Sequence, residues 1–398
     1  MTKCGYLNTF LSLRKSLYRV SSYRQLSNFA GAYGMELQEV VVKLERFGPN
    51  SLAEKWDNVG LLVEPSKPHL VRKLMITNDL TEAVLKESIA EKADMILSYH
   101  PPIFAPLKKL TNSSVKERIL VSAIENRIAV YSPHTIYDSL KGGVTDWLAS
   151  CLGEYTTQPV IPFFDESASG YYKLEMYISK DKQHNWSEVL NNYNKENSVQ
   201  DIIVSDLVDP KGCVKYGITC SRSGMFQILD SYHEMFDRND NLQITKLSSK
   251  PILGTGSGRI CRLVEPVSLQ LLIAQVKKHL NLSSLRLAAD FYKPLSVMEI
   301  SERQEHITKK LIRTVAVVAG AGGSLLKGVK ADLYLTGEMS HHDVLAAVAS
   351  GTCVLLCDHT NTERGYLFNK LKLDLGSLLD NRIEIITSKV DGDPLAVI

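Results

Sequence analysis

The amino-acid sequence predicts an α/β protein with a largely parallel sheet and a separate module inserted into it. Short apolar segments alternate with helical segments before residue 155 and after residue 311, as expected of parallel strands joined by crossover helices. Between them, residues 156–250 follow the order strand, helix, strand, strand, helix, strand of a ferredoxin-like plan. Polar turns rich in histidine follow four of the apolar segments, and these strand ends are the expected place for a ligand site.

Length and composition restrict the class of protein. The chain has 398 residues, 44% hydrophobic and 23% charged, which is ordinary for a soluble protein with two or three domains. The formal charge is +2 and no basic cluster is interleaved with aromatic residues, so direct binding to nucleic acid is not expected. No apolar segment approaches the ~18 residues of a membrane-spanning helix, so no membrane partner is expected either.

The cysteines predict a reducing compartment and no thiolate metal site. There are seven, an odd number, and none forms a C-x-x-C pair, which argues against a disulfide framework and against a structural zinc site. Cys353 and Cys357 lie in or beside an apolar strand, where cysteine behaves as a small buried hydrophobe. We assign no catalytic role to the cysteines.

The first 35 residues differ in composition from the rest of the chain. They are basic and rich in serine, with no aspartate or glutamate before Glu36. This composition is typical of a mitochondrial transit peptide, and it equally fits a disordered leader or upstream sequence before a start at Met35. Residues 1–35 are therefore predicted to be a leader that precedes the folded protein.

Residues 36–155 are predicted to form the first half of the α/β domain. Leu37, Val40, Val41 and Leu44 have the i, i+3, i+4 spacing of an amphipathic helix. The remaining pattern predicts strands at 59–63, 74–77, 93–98 and 127–131 and helices at 82–91 and 116–126.

The rest of the chain is predicted in three parts. The inserted module, 156–250, has strands at 171–178, 199–208, 214–220 and 242–247 and helices at 186–193 and 225–236. A connecting segment, 251–310, has a glycine-rich turn and a strand over 254–264, a helix at 268–280 and a loop over 290–310. The second half of the α/β domain, 311–398, has strands at 315–319, 331–336, 352–357 and 382–387.

A glycine-rich turn, Gly320 to Ser324, directly follows the strand at 315–319. Backbone amides of such a turn can bind a phosphate group. The alternative is a tight connection between a strand and a helix, and the sequence leaves both interpretations open.

The histidines and carboxylates at the strand ends predict a metal site. His359 and Glu363 are four residues apart, as are His134 and Asp138, so each pair would share one helix face with Cβ atoms roughly 6 Å apart. His100 follows another strand and precedes two prolines. Imidazole and carboxylate ligands without cysteine favour a divalent transition metal, Zn, Fe, Mn or Ni, as one or two ions.

Each of these residues has a simpler interpretation on its own. A histidine after a strand often caps a helix, and Asp138 or Glu363 alone is typical of a solvated helix face. His341-His342-Asp343 would simply begin a helix that Ser340 caps. Recurrence at four strand ends favours one shared metal site over several independent caps.

At these strand ends the chain resembles the NIF-three-like family of dinuclear-metal proteins, whose bacterial members are often labelled GTP cyclohydrolase I type 2 homologues. The resemblance covers about residues 36–155 and 311–398. It is carried by Trp56-Asp57-Asn58-Val59-Gly60, Ser98-Tyr99-His100-Pro101, Pro133-His134-Thr135-Ile136-Tyr137-Asp138, Thr336-Gly337-Glu338-Met339-Ser340-His341-His342 and His359-Thr360-Asn361-Thr362-Glu363-Arg364-Gly365. It implies a two-half α/β fold, an inserted ferredoxin-like module of the PII or CutA type, and a homo-oligomer that is at least a dimer.

The resemblance also implies roles for individual residues. His100, Asp138, His359 and Glu363 would be metal ligands, with Glu363 bridging two ions. The family usually has a His-His pair where this chain has Tyr99-His100. One ligand is therefore missing, and the number of ions becomes a question for the structure.

Two functions follow from the site and the resemblance. The first is a metal-dependent hydrolase of a small nucleotide-like or phosphorylated substrate, in which the metal activates water and His134 or Glu338 handles protons. The second is a non-enzymatic adaptor, since animal members of the family are described as corepressors that bind transcriptional regulators. The expected location is the cytoplasm and nucleus, or the mitochondrial matrix if residues 1–35 direct import.

Overall fold

The computed structural model describes residues 34–165, 171–179, 182–195, 199–208, 212–235, 242–247, 250–289 and 295–396. The predicted leader over 1–35 lies outside the described residues except for its last two positions. In the part of the chain that is described, no helix is both long enough and apolar enough to cross a membrane.

Strands and helices alternate along the chain as an α/β fold requires. Before the insertion they are β1 (Met35–Glu36), α1 (Leu37–Phe47), β2 (Gly60–Val63), β3 (Leu70–Val71), β4 (Lys73–Thr77), α2 (Glu82–Ala90), β5 (Met95–Ser98), α3 (Val115–Glu125), β6 (Ala129–Ser132), α4 (Thr135–Ser139) and α5 (Val144–Ala149). The central part contains β7 (Tyr155–Gln158), β8 (Ile161–Asp165), β9 (Tyr171–Ser179), α6 (Gln183–Lys195), β10 (Val199–Val208), β11 (Cys213–Ser221), α7 (Arg222–Met235), β12 (Leu242–Lys246) and β13 (Lys250–Ser257). The last part contains β14 (Arg259–Ser268), α8 (Leu269–Leu280), β15 (Arg286–Ala288), α9 (Ile300–Lys309), β16 (Leu311–Ala321), α10 (Gly323–Leu326), β17 (Leu333–Glu338), α11 (His341–Ala349), β18 (Cys353–Leu356), α12 (Lys372–Leu378) and β19 (Glu384–Thr387).

The first sheet has five strands in the order β19-β4-β5-β6-β2. Strands β19, β4, β5 and β6 run parallel, and β2 pairs antiparallel with β6. Val84 of α2 and Ile119 of α3 pack on Met75 and Ile96 at one face of this sheet. The prediction of a largely parallel sheet is confirmed here, and its strands are apolar because both faces are covered.

The second sheet has six strands in the order β15-β18-β17-β16-β14-β7. Only its three central strands, β16, β17 and β18, run parallel, whereas β14, β7 and β15 pair antiparallel. The three central strands thus have the parallel arrangement predicted from the sequence, and the strands beside them run antiparallel. Cys353 and Cys357 are buried at β18, as predicted.

Two edge strands pair with strands that are distant from them in the sequence. Strand β7 overlaps the first residues of the module predicted at 156–250 but belongs to the second sheet, and β19 near the end of the chain belongs to the first sheet. One continuous apolar core contains Leu74 and Tyr131 of the first sheet together with Val317 and Leu335 of the second. This shared core holds the two sheets in a fixed relation.

Strands β9, β10, β11 and β12 form a four-stranded antiparallel sheet in the order β10-β11-β9-β12, accompanied by α6 and α7. This part has its own core, which includes Leu174, Trp186, Tyr216 and Ile228. The antiparallel pair β8 and β13 connects it to the α/β part. This pair was not predicted from the sequence, because a proline in β8 and glycines in β13 weaken the strand pattern.

The predicted loop over 290–310 is wrong in its second part. Helix α9 occupies Ile300–Lys309, and the side chain of Glu302 accepts a hydrogen bond from the backbone N–H of Glu299 at its start. No residue of α9 is buried. The helix therefore lacks the apolar stripe by which a sequence usually indicates a helix.

Candidate metal centre

The predicted site residues lie where the carboxyl ends of strands from the two sheets meet. His100 and His134 follow β5 and β6 of the first sheet, whereas His359 follows β18 of the second. Open α/β sheets bind ligands at this edge. The shared core thus brings together residues from opposite ends of the sequence.

His100, His359 and Glu363 form a compact group of potential ligands. One ligand atom from each lies within 4.8 Å of the other two. Nε2 of His100 is 3.5 Å from Oε2 of Glu363, and Nε2 of His359 is 3.4 Å from Oε1. Atoms about 2.1 Å from a tetrahedral metal ion lie about 3.4 Å from one another, so these separations suit a shared ion.

Gly320 keeps the space beside these ligand atoms open. Its φ is +61°, and a Cβ at this position would lie 2.6 Å from Oε1 of Glu363 and 2.9 Å from Nε2 of His359. Glycine adopts this left-handed conformation readily and carries no side chain that would fill the space. The donor atoms and the space both fit a transition metal ion.

Carboxylates orient all three histidines of the site through Nδ1. In each case a carboxylate oxygen lies within hydrogen-bond distance of that nitrogen: Asp79 at 2.9 Å from His100, Asp57 at 2.8 Å from His134, and Glu338 at 2.7 Å from His359. Such pairs fix the ring and leave Nε2 available to a metal or a substrate. Glu338, which was predicted to transfer protons, lies beside Nδ1 of His359, a candidate metal ligand.

The charge of His100 depends strongly on these contacts. Burial lowers the pKa of the imidazolium, but hydrogen bonds to Asp79 and Glu363 outweigh this effect and raise it to about 10. The protein without metal therefore holds a proton on His100 at neutral pH. A metal ion at Nε2 would have to displace this proton.

Asp138 is engaged by Tyr99 and does not belong to the group of three ligands. The Tyr99 hydroxyl donates a hydrogen bond to Oδ1 of Asp138 over 2.5 Å, and Tyr99 is fully buried. Burial raises the pKa of the Asp138 carboxyl to about 6 despite this hydrogen bond, and the nearby charge of Glu363 adds to the rise. Burial and the Asp138 charge raise the pKa of Tyr99 well above its usual range, so the phenol keeps its proton.

The backbone is strained at His134 and at the residue before His359. His134 has φ +34°, and Asp358, immediately before His359, has φ +64°. Non-glycine residues at positive φ are uncommon and cluster at functional sites. At His134 the turn is held by Asp57, which accepts hydrogen bonds from the backbone N–H and the hydroxyl of Thr135 over 3.2 and 2.5 Å.

The two predicted i,i+4 pairs do not share an α-helix, contrary to the sequence expectation. Between His359 and Glu363 the chain forms a 3₁₀ turn, and Glu363 has φ −123°. His134 precedes α4, whereas Asp138 lies within it. The tighter 3₁₀ turn still brings His359 and Glu363 together.

Neither His341 nor His342 joins the site. Both are exposed at the start of α11, and the Ser340 hydroxyl accepts a hydrogen bond from the backbone N–H of Asp343 over 3.2 Å. The interpretation of this segment as a helix start capped by Ser340 is therefore confirmed.

The glycine-rich segment Gly320 to Ser324, at the end of β16, uses two of its amides within the protein. The N–H of Gly320 donates to the hydroxyl of Thr362 over 2.8 Å, and the N–H of Gly322 donates to the carbonyl oxygen of Glu338 over 3.1 Å. These contacts favour the interpretation of the turn as a tight connection.

No role in the site was predicted from the sequence for Asp57, Asn78 or Asp79. Asn78 donates from Nδ2 to Oε2 of Glu363 over 3.2 Å, and Asp79 orients His100. Asn78 and Asp79 directly follow β4, a further strand end at the same edge. Asn78 and Asp79 could have been found from the sequence if polar residues at strand ends had also been considered as hydrogen-bond partners of the metal ligands.

The site opens into a cleft of about 370 Å³, a volume in the range of small-molecule sites. Its lining includes the candidate ligands His359 and Glu363, together with His134 and the aromatic side chains of Trp56 and Phe104. A small molecule in this cleft would therefore contact the candidate metal position.

Comparisons with known proteins agree with these features. Residues 35–394 match the sequence profile of the family Duf34/NIF3 (NGG1p interacting factor 3). NIF3-like protein 1 of Mus musculus is 43% identical over 366 residues, which cover 92% of this chain and 93% of the mouse protein. NGG1-interacting factor 3 of Saccharomyces cerevisiae is 27% identical over 373 residues, which cover 91% of this chain and 97% of the yeast protein.

A solved structure shares the fold. The crystal structure of Staphylococcus aureus protein SA1388 has a TM-score of 0.65 and 23% sequence identity to this chain. The match covers 92% of this chain and 99% of the bacterial one. The similarity therefore extends through the α/β part and the insertion.

Proposed function

The chain belongs to the Duf34/NIF3 family, and we propose that it is a metal-dependent hydrolase whose ion is held by His100, His359 and Glu363. The observation that carries the proposal is the placement of three ligand atoms within 4.8 Å of one another, beside a space that Gly320 leaves open. The carboxylates beside Nδ1 of the two histidines support the proposal, because such contacts orient histidines for metal binding. The donor set favours Zn, Fe, Mn or Ni.

We propose one ion rather than two, because Tyr99 replaces a ligand of the second. Its hydroxyl engages Oδ1 of Asp138, the other residue that the family resemblance assigns to the metals. A buried phenol whose pKa is raised stays neutral and is a poor metal ligand. Asp138 then remains a hydrogen-bonded carboxylate at the edge of the site.

His134 serves as the general base in this proposal. When bound, the ion supplies a Lewis acid and lowers the pKa of water in the site. Burial opposes the charge of Asp57, but hydrogen bonds from His134 and Thr135 outweigh it and lower its pKa, so Asp57 is ionised and accepts the Nδ1–H of His134. Nε2 on the other side of the ring is then the nitrogen placed to take a proton from the attacking water. Glu338 positions His359 and moves no proton.

The proposed substrate is a small nucleotide-like or phosphorylated molecule, because the cleft of about 370 Å³ admits nothing larger than a small ligand. We also propose that strands β9 to β12 with α6 and α7, within the segment 156–250, form a ferredoxin-like module of the PII or CutA type. The order β10-β11-β9-β12 with two helices supports this assignment. A homo-oligomer, implied by the resemblance, is tested by light scattering of the purified full-length protein.

The hydrolase proposal is tested by screening the purified protein, loaded with each metal, against small phosphate esters and nucleosides. We expect an activity that a chelator removes, added metal restores, and Glu363→Gln abolishes. Glu305→Gln on the exposed face of α9 is the control and should leave the activity unchanged. An activity that is insensitive both to chelation and to Glu363→Gln would contradict the proposal.

A second candidate function is that of an adaptor for transcriptional regulators. The yeast relative is named NGG1-interacting factor 3, which favours a protein partner. Co-purification of the same partners with wild type and Glu363→Gln would support an adaptor that acts independently of the metal. The compartment is tested by a reporter fused to residues 1–35: import into mitochondria supports a transit peptide, and a diffuse signal supports the cytoplasm and nucleus.

A further inference from the structure

We propose that Trp56 and Phe104 form a stacking site for an uncharged planar heteroaromatic ring, of the nucleobase or nucleoside class, at the mouth of the metal cleft. The inference deepens the proposed function by naming a substrate class, and it rests on that function for the reaction but not for binding. Both aromatic side chains line the same cleft as His134 and Glu363. A ring bound there would lie next to the candidate base and the candidate metal ligands.

The two rings leave their faces available. Trp56 is 59% exposed and Phe104 is 48% exposed. Their centroids are 5.9 Å apart with an angle of 54° between the planes, so neither ring covers the face of the other. Trp56 contacts His134 at a centroid distance of 6.0 Å and 75°. Exposed aromatic faces beside a reactive centre are the arrangement by which proteins stack planar bases.

Hydrogen bonds hold the aromatic pair in place before any ligand binds. Nδ2 of Asn58 donates to the carbonyl oxygen of Ile103 over 2.6 Å, which ties the loop that carries Phe104 to the loop that carries Trp56. The residue between Trp56 and Asn58 is Asp57, which contacts Nδ1 of His134 over 2.8 Å. The two loops that carry the rings are thus fixed relative to the candidate base, and little backbone ordering is needed on binding.

In the metal-free protein, the acidic side chains that line the cleft favour an uncharged ligand over a phosphate. Among the described residues that line it, the ionisable acids are Glu54, Asp138 and Glu363, and no lysine or arginine is present. Ser257 donates to Oε1 of Glu54 over 2.6 Å, which keeps this carboxylate at the cleft. Repulsion from these carboxylates would act on a phosphate group but not on an uncharged ring.

The fluorescence of Trp56 can report ligand binding directly. It is far more exposed than Trp186, which is buried, and than Trp147, which is half-buried. The full-length protein, with and without zinc, is titrated with adenosine, with adenosine monophosphate and with ribose while its fluorescence is recorded. We expect saturable quenching by adenosine, none by ribose, and weaker binding of the monophosphate than of adenosine to the metal-free protein.

Substitutions of the two aromatic residues test whether they bind the adenosine. Phe104→Leu keeps the reporter and should weaken adenosine binding at least about fivefold, given the usual strength of base stacking. Phe226→Leu, which alters a 53% exposed phenylalanine in the inserted module, is the matched control and should change nothing. Trp56→Leu, measured by equilibrium dialysis with labelled adenosine, should show a similar loss, and circular dichroism checks that each variant is folded.

The outcomes separate this inference from the proposed function. No saturable response to adenosine, an equal response to ribose, tighter binding of the monophosphate to metal-free protein, or equal effects of Phe104→Leu and Phe226→Leu would overturn the stacking site. Adenosine binding that depends on Trp56 and Phe104 in a protein that takes up no metal would support the stacking site and contradict the hydrolase.

Discussion

The hydroxyl of Tyr99 lies 2.5 Å from Oδ1 of Asp138 in the interior of the candidate metal centre. In the family that the motifs resemble, a second histidine usually stands at the position of Tyr99. A neutral phenol thus takes the place of a metal-binding nitrogen and engages the neighbouring carboxylate. This contact is the reason for proposing one ion in place of two.

Tyr99→His is expected to raise the metal content from about one ion to about two per chain, because it restores an imidazole and frees Asp138. Tyr99→Phe removes the hydroxyl without adding a ligand, so its metal content should stay at about one. Elemental analysis of the purified proteins after dialysis against zinc measures both. Two ions per chain in the wild type would contradict the role assigned to Tyr99.

Asp138→Asn is expected to stabilise the metal-free protein at neutral pH. The pKa of about 6 for Asp138 lies above its ordinary value, so the folded state binds this proton more tightly than the unfolded state does. The ionised carboxylate therefore destabilises the fold above pH 6, and this penalty disappears as the pH falls below about 4.

Urea unfolding of wild type and Asp138→Asn measures the difference. We expect the variant to be more stable by about 1–3 kcal/mol at pH 7.5 and nearly equal at pH 4. An asparagine oxygen can still accept the hydrogen bond from Tyr99. A variant that is less stable at both pH values would count against a buried, destabilising charge at Asp138.

Metal affinity is expected to rise with pH, because the ion competes with a proton on His100. The pKa of His100 is raised to about 10, so in the metal-free protein its charge contributes stability that is complete below pH 6.5 and is lost as the pH rises through about 10. Between pH 6 and 9 the apparent zinc affinity should increase by up to about tenfold per pH unit. Calorimetry in buffers of different ionisation enthalpy should show proton release, and an affinity independent of pH would exclude this competition.

Asp79→Asn and Glu338→Gln are each expected to weaken zinc binding by about 10–100-fold, because they remove the carboxylates that orient His100 and His359. Competition with a chelating dye measures the affinity. Glu305→Gln, at an exposed position on α9, is the control and should bind zinc as the wild type does. Unchanged affinity in both site variants would mean that these carboxylates do not support a metal ligand.

Much of the α/β pattern could be predicted because its signals are local. Each parallel strand is a short apolar run, and polar residues such as His100 and His359 mark where a strand ends. The pairing of β19 with the first sheet and of β7 with the second could not be predicted, since no local pattern states which sheet an edge strand joins.

The carboxylates that orient the histidines could not be predicted either, because their contacts are not local in the sequence. Asp57 is 77 residues from His134 and Asp79 is 21 residues from His100, so each contact exists only after the sheets have formed. Helix α9 was missed because it buries no side chain. Its formation depends on polar capping, which apolar periodicity does not detect.

The most direct test of the central claim is the metal content of the protein with His359→Ala and Glu363→Ala combined. Wild type purified with zinc, iron, manganese or nickel should retain about one ion per chain, and the double variant should retain none, because two of three ligands are gone. The control combines His341→Ala and His342→Ala, which alter exposed histidines on α11, and should bind metal normally. Equal metal content in wild type and in the His359→Ala, Glu363→Ala variant would contradict the metal centre.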